Sequence, residues 1–343
     1  MAVQLRIGAC LSLSGRFAQF GQQALRGLEA WHSLDGGAEL LAENDRSDRR
    51  TLEAALPEVA RRCDLLLGPY STVLMRAAGR MAAEAGWLVW NHGGSGDDVE
   101  GAHPGYVVSV LTPTSRYAEP FLRYIAGEDR PRDLVIVHGL GSFGRQVADG
   151  AGMIARRLGI RAAIVDSDAS LPPPGVSEEW DLFSAGVFEQ DAELVGRAQQ
   201  LPDPPRQICA IAAGVREFAG AVNDPEGVFG IAQWLPGSGH EVLLGPAEAD
   251  FLGAYSGTTP DYPAVQAAAG AVLAAHCARL VGGTAREDLW AAAAALDTLT
   301  LFGGFRIDPR SGTQVKHDTA LVRWTQGEPG PVSAPGSLAT RIA

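Results

Sequence analysis

Cysteine is scarce: the 343-residue chain holds four, Cys10, Cys63, Cys209 and Cys277. They are far apart and form no CxxC pair, which excludes a zinc-ribbon site or a disulfide framework and predicts buried free thiols. A basic tract is also missing, and 28 basic against 40 acidic residues leave a formal net charge of −12. Such a chain repels a phosphate backbone, so nucleic acid is excluded as a partner. The most apolar long stretch, Ala264 to Val281, is interrupted by Gln266, His276 and Arg279. It is expected to be a buried helix, with no membrane insertion. The amino terminus has no basic segment followed by an apolar one. The expected location is therefore cytoplasmic if the chain is native from Met1, and periplasmic or extracellular if a leader was removed.

Catalytic signatures are equally absent. No GxSxG nucleophile elbow occurs, and the seven histidines show neither HExxH nor HxxxH spacing, so serine-hydrolase and zinc chemistry have no carrier. His92-Gly93-Gly94-Ser95 resembles an esterase oxyanion loop but lacks its nucleophile. Asp97-Asp98 is a candidate carboxylate pair, or a solvated turn. The expectation is a protein that is not an enzyme and uses no metal and no cofactor.

What is present is α/β alternation at a length that exceeds a single core. Strands are expected at Leu5–Cys10, Glu39–Asn44, Leu65–Gly68, Trp87–Asn91 and Tyr106–Leu111. Helices are expected between them, near Gln22–Ser33, Leu52–Arg62, Thr72–Ala85 and Ser115–Ala126. A second series starts at Asp133, with strands Leu134–His138, Arg161–Asp166, Gln207–Ala212 and Val228–Trp234. Its helices are Arg145–Leu158, Asp191–Gln200 and Val215–Val222. Leu171-Pro172-Pro173-Pro174-Gly175 must be a loop. Helices follow from about Glu248 to Leu296, then strand-like runs at Gly304–Ile307 and Ala320–Trp324, a tail expected to return to the first lobe. The class is α/β, with two lobes built on parallel sheets.

Gly139-Leu140-Gly141-Ser142-Phe143-Gly144 is a literal GxGxxG between a strand and a helix, and Asp166 ends the next strand. One reading is a dinucleotide site in an NAD-dependent enzyme; the other is a glycine-rich turn. In the first series, small hydroxyl or glycine residues follow strand ends: Ser12, Ser14-Gly15, Tyr70-Ser71-Thr72 and Asn91 to Ser95. Those ends face the ligand crevice of an open parallel sheet. Thr72 opens a helix, where hydroxyl and N–H groups can receive a carboxylate, or simply cap the helix. Phe20, Tyr70, Trp90, Trp234 and Tyr262 lie near the same edges and can wall an apolar ligand.

The chain resembles a type I periplasmic binding protein of the leucine/isoleucine/valine-binding class. Leu11 to Gly27 is similar to the opening "PLSGxxAxxGxxxxxG" segment, and Leu67-Gly68-Pro69-Tyr70-Ser71-Thr72 to the "IGPxxS" turn. Ala82 to Val89 resembles "AExxGVPxI", Phe143-Gly144 the "YG" of the second lobe's first helix, and Leu301 to Asp308 the "GxxxFDxxG" tail. The resemblance spans nearly the whole chain. It implies two Rossmann-like lobes, residues 1–116 plus 247–322 and 117–246 plus 323–343, joined by a three-strand hinge. The lobes would close on a small-molecule ligand and deliver it to an ABC permease.

Carried over by position, the resemblance implies that Thr72 holds the ligand carboxylate, while Gly93 (carbonyl) and Ser95 (hydroxyl and N–H) contact its head. Tyr70 and Phe20 would cover it, with Tyr262 close by. In the second lobe Phe143, Gly214, Gln233 and Trp234 would face it. Amino-acid binders of this class carry an acidic residue after the strand ending here at Gln233-Trp234, to pair the ligand ammonium. These positions are neutral, so an aromatic or aliphatic carboxylate, or an amide, is expected. Arg16 is a candidate second carboxylate partner, or a solvated surface arginine. The alternative role on the same fold is a cytoplasmic ligand sensor of the amide-regulator type, acting through a regulatory protein partner.

Overall fold

A computed structural model describes residues 5–128, 132–237, 239, 241–257 and 259–332. Residues 1–4 and 333–343, which the expected lobe boundaries include, lie outside the described residues. The chain divides into two compact units, residues 1–113 with 236–318 and residues 114–235 with 319–343, and passes between them three times.

The first unit opens with β1 (Leu5–Leu11), α1 (Ala18–Asp35), β2 (Ala38–Asn44), α2 (Arg49–Ala60), β3 (Leu65–Leu67) and α3 (Thr72–Ala85). It continues with β4 (Val89–Asn91), α4 (Asp98–Gly101) and β5 (Val107–Ser109). These strands form a parallel sheet in the order β2-β1-β3-β4-β5. β1, β3, β4 and β5 are almost wholly buried, as strands covered by helices on both faces must be. The order reverses between β1 and β3, and their carboxyl ends flank the crevice where open α/β sheets take ligands.

The second unit contains α5 (Glu119–Ala126), β6 (Asp133–His138), α6 (Ser142–Arg157), β7 (Ala162–Asp166) and β8 (Trp180–Ala185). α7 (Phe188–Gln199), β9 (Gln207–Ala210) and β10 (Phe229–Ala232) follow. The chain then returns to the first unit for α8 (Glu248–Ala254), α9 (Tyr262–Val281), α10 (Arg286–Ala295), β11 (Thr298–Thr300) and β12 (Gly303–Phe305). α9 is long and apolar enough to cross a membrane, but 78% of its apolar window is buried. A side chain at Gly27 of α1 would meet the Ala264 carbonyl at 2.0 Å, so glycine there lets α1 and α9 pack backbone to backbone.

The last strands, β13 (Ala320–Thr325) and β14 (Glu328–Pro331), correct one expectation. β13 pairs antiparallel with β10, giving the second unit's sheet the order β14-β13-β10-β9-β8-β6-β7. The run at Ala320 therefore joins the second unit and not the first. Sheet membership is set by long-range pairing, which local pattern does not encode. β8, between β6 and β9, was not expected from the sequence. Asp181 and Ser184 interrupt its apolar pattern, yet both are buried. Val215–Val222 is a 3-10 turn over Arg216–Gly220 and not an α-helix.

Candidate functional site

In the first unit, the segments after β1, β3 and β4 converge at the sheet's carboxyl edge. After β1 the chain is committed to local bonding. The Ser12 hydroxyl donates to Asp45 at 2.7 Å, and the Asn44 amide donates to the Ser14 hydroxyl at 3.0 Å. Phe20, in the first turn of α1, is buried and stacks on Tyr70, with centroids 4.7 Å apart and 11° between planes. Phe17 joins them at 6.1 Å, tilted. Because Phe20 follows β1 and Tyr70 follows β3, this aromatic pair straddles the point where strand order reverses. Arg16 is exposed, its guanidinium 5.6 Å from the Phe17 ring centroid.

Ser71 caps α3: its hydroxyl accepts the Leu74 N–H, and its φ of 86° is in the left-handed region. Sequence reasoning gave the helix start to Thr72 and did not single out Ser71 as the cap. Thr72 is buried in the first turn, and its hydroxyl accepts the Gly96 N–H at 3.1 Å. The Gly93 carbonyl accepts the Ser71 N–H at 2.8 Å. The loops after β3 and β4 are thus tied together twice. Gly93 is required by close approach: a side chain would lie 2.5 Å from the Tyr70 Cα. Ser95 lies buried on the same loop. Tyr262 is half-buried in the first turn of α9, next to Asp261, a buried carboxylate whose own N–H donates to Gln23.

Two further residues support this edge. Asn91 accepts the Gly93 and Gly94 N–H groups at 3.1 and 2.8 Å, and its amide reaches Glu100 at 3.0 Å. Glu100 is buried, which pushes its pKa up to about 7. His92 is fully buried, and among the described residues neither ring nitrogen has a partner with good hydrogen-bond geometry. Burial pushes its pKa down to about 4, the nearby Gly68 carbonyl opposing weakly. Of the Asp97-Asp98 pair, Asp98 is held bidentately by Arg76 at 2.7 and 2.8 Å, a surface ion pair.

The second unit has its own switch point, between β6 and β8. Phe143, at the start of α6, sits there edge-on to Tyr117 with centroids 6.3 Å apart. Each glycine of the GxGxxG turn has a structural reason. Gly141 has a φ of 102°. A side chain at Gly139 would meet Gln190 at 2.1 Å, and one at Gly144 the Ala185 carbonyl at 2.5 Å. Gly214 is likewise a close-approach residue, 2.0 Å from the Ile231 carbonyl to any added Cβ. Beyond β10, the Gln233 amide donates to the Tyr117 hydroxyl at 2.8 Å. Among the described residues, the Gln233 side-chain oxygen and the Trp234 indole N–H are buried without partners. All four cysteines are free, and burial pushes the Cys10 and Cys277 thiols up to about 12.

Each α/β unit places small and aromatic residues after the carboxyl ends of its strands, the edge at which open parallel sheets take ligands. A family model described as "Periplasmic binding protein" matches residues 4–329, and the chain belongs to that non-catalytic family, whose members bind solutes for ABC importers. Among solved structures it is similar to a leucine-binding protein from Thermotoga maritima (14% identity, 96% and 98% of the two chains covered, TM-score 0.81). It is also similar to an ABC transporter solute-binding protein from R. palustris in complex with benzoate (16%, 96% and 95%, TM-score 0.75). A third is a solute-binding protein from Rhodopseudomonas palustris BisB5 in complex with 3,4-dihydroxybenzoic acid (14%, 96% and 97%, TM-score 0.76). No curated protein matches the sequence.

Proposed function

We propose that the protein captures a small organic acid with an apolar or ring-containing body and no ammonium group, for import by an ABC permease. The observation that carries this reading is the neutral Gln233-Trp234 turn, with one buried acceptor and one buried donor unpartnered among the described residues. An ammonium buried there would lack a counter-charge, at a cost of several kcal/mol. A carboxylate is favoured in the first unit by the start of α3, whose first N–H groups have no intrahelical acceptor. The Phe20–Tyr70 stack supplies a wall for a ring or branched chain. The benzoate and dihydroxybenzoate complexes of the R. palustris proteins show that this fold accommodates such acids. Capture for an importer implies periplasmic or extracellular action.

Thermal shift and calorimetry with benzoate, benzamide and leucine test the reading. Benzoate is expected to raise the melting temperature and leucine not to. Gln233→Glu should weaken benzoate at least about tenfold by adding a like charge, as a loss near 1.4 kcal/mol gives. Buried Asp261 favours a second reading, an α-amino acid with its ammonium at that carboxylate. Tight leucine binding that Asp261→Asn abolishes would establish it in place of the first.

A further inference from the structure

We propose that Glu100 is a positioning residue for the loop after β4: through Asn91 it makes the geometry of residues 93–96 proton-dependent, the ionised carboxylate being the form that holds the loop. The functional meaning rests on the reading that this loop receives the solute; the positioning itself does not.

The argument is a count of protons and lone pairs. The Asn91 side-chain nitrogen lies 2.6 Å from the Gly94 carbonyl, 3.0 Å from Glu100 Oε1 and 2.8 Å from the Ser109 hydroxyl. A primary amide has two protons for these three acceptors. With Glu100 ionised, the Ser109 hydroxyl donates to the carboxylate, and the two amide protons serve Gly94 and Glu100. Every group is then satisfied, one bond being charge-assisted. With Glu100 protonated, its O–H must itself be placed, Ser109 turns from donor to acceptor, and Asn91 loses its charged acceptor. The other end of the same side chain accepts the Gly93 and Gly94 N–H groups, so a change at Glu100 reaches the loop through one rigid amide.

The loop cannot absorb that change quietly. Side chains at Gly93 and Gly94 would lie 2.5 Å from the Tyr70 Cα and 2.4 Å from the Met75 Cβ. Its Gly93 carbonyl and Gly96 N–H bind Ser71 and Thr72. Glu100 itself is 3% exposed, and burial holds its pKa near 7, with Asp97 raising it and bonds from Ser109 and Asn91 lowering it. The charged and titratable groups on the elements around it are few. Asp97 and Asp98 are on its own turn, and His103 follows it against Gly79 of α3. Arg76 of α3 is held by Asp98, and Arg80 of α3 pairs with Glu84 and Glu53. β4 and β5 contribute only the neutral Asn91 and Ser109.

The test is a pH titration from 5.5 to 8.5 of the Gly93 and Gly94 amide signals in the full-length, nitrogen-15-labelled protein without ligand. The expected result is one transition with a midpoint near pH 7, absent in Glu100→Gln. In Ser109→Ala, which keeps the carboxyl but removes a bond to its charged form, the midpoint should move up. Benzoate affinity by calorimetry should rise about threefold or more from pH 6 to 8 in the parent and stay level in Glu100→Gln. Amides that stay flat in the folded parent overturn the proposal, as does a transition that persists in Glu100→Gln. If benzoate does not bind at all, the solute reading fails, and the amide titration still decides the role of Glu100.

Discussion

Thr72 accepts the Gly96 N–H at 3.1 Å, so the hydroxyl at the start of α3 already fastens the loop after β4. A hydroxyl oxygen has two lone pairs and one proton, and on the proposed function that proton is the one offered to a ligand carboxylate. The two duties separate by mutation. Thr72→Ser keeps both and should melt within a degree or two of the parent. Thr72→Val keeps the shape but leaves the buried Gly96 N–H unpaired, costing about 1–3 kcal/mol. Chemical denaturation measures that cost, and benzoate calorimetry should show affinity falling in the valine variant alone.

The Phe20–Tyr70 stack ties α1 to the β3–α3 turn. Offset-stacked rings are worth about 0.5–1.5 kcal/mol beyond the area they bury. A double-mutant cycle with Phe20→Leu and Tyr70→Leu should give a coupling energy in that range. Tyr70→Phe should leave the coupling intact. A coupling energy near zero would mean that the rings touch without stabilising the edge.

The sequence carries much of this architecture because α/β alternation is written locally. Glycine and hydroxyl residues end the strands, and α3 runs over Thr72–Ala85 as its pattern predicts. What local pattern does not carry is pairing at a distance. β8 hides its polar residues by contacts made elsewhere: Ser184 with Asp191 on α7, and Asp181 beside Arg206. Before those partners are known, Trp-Asp-Leu-Phe-Ser-Ala reads as an interrupted run after a proline loop. The Asn91–Glu100–Ser109 cluster has the same origin. Its members are 9 and 18 residues from Asn91, and β4–β5 pairing brings them together. The family resemblance singled out Gly93 and Ser95 on the loop, but not the buried side chains beneath it. Gly214 shows the converse case, a residue chosen for a ligand whose evident constraint is backbone packing against β10.

His92 gives the fold an acid-labile element. Its imidazole is fully buried, and burial pushes its pKa from 6.5 down to about 4. The folded state therefore favours the neutral ring, while the unfolded chain takes up a proton below pH 6.5. The stabilising contribution is complete above pH 6.5 and is lost as pH falls towards 4, on the order of 3 kcal/mol in all. Glu100 acts in the opposite sense: its raised pKa makes stability fall as pH rises from 4.5 to 7. Denaturation of the parent and of His92→Leu at pH 4, 5, 6 and 7 isolates the histidine. The difference in stability between the two should change steadily in favour of the variant as pH falls. A constant difference would show that the ring is not buried neutral.

Asp191 plays the corresponding part in the second unit. Its carboxylate accepts the Ser184 hydroxyl at 2.6 Å, the Gly186 N–H at 2.7 Å and the Ala212 N–H at 2.9 Å. It thereby joins the ends of β8 and β9 through the start of α7. All three partners donate, Ser184 and Gly186 to one oxygen and Ala212 to the other. Asp191→Asn keeps one oxygen but turns an NH2 towards a donor, leaving at least one buried N–H unpaired at about 1–3 kcal/mol. Burial raises the pKa of Asp191 to about 6, so the ionised parent contributes less than three bonds would suggest. Folded-state affinity for the proton exceeds that of the unfolded chain between pH 3.8 and 6, and parent stability from this group falls as pH rises through that window. Asn cannot titrate. The cost of Asp191→Asn should therefore be largest near pH 4, where the parent carboxyl is neutral, and smaller above pH 6, as urea denaturation at the two pH values can measure.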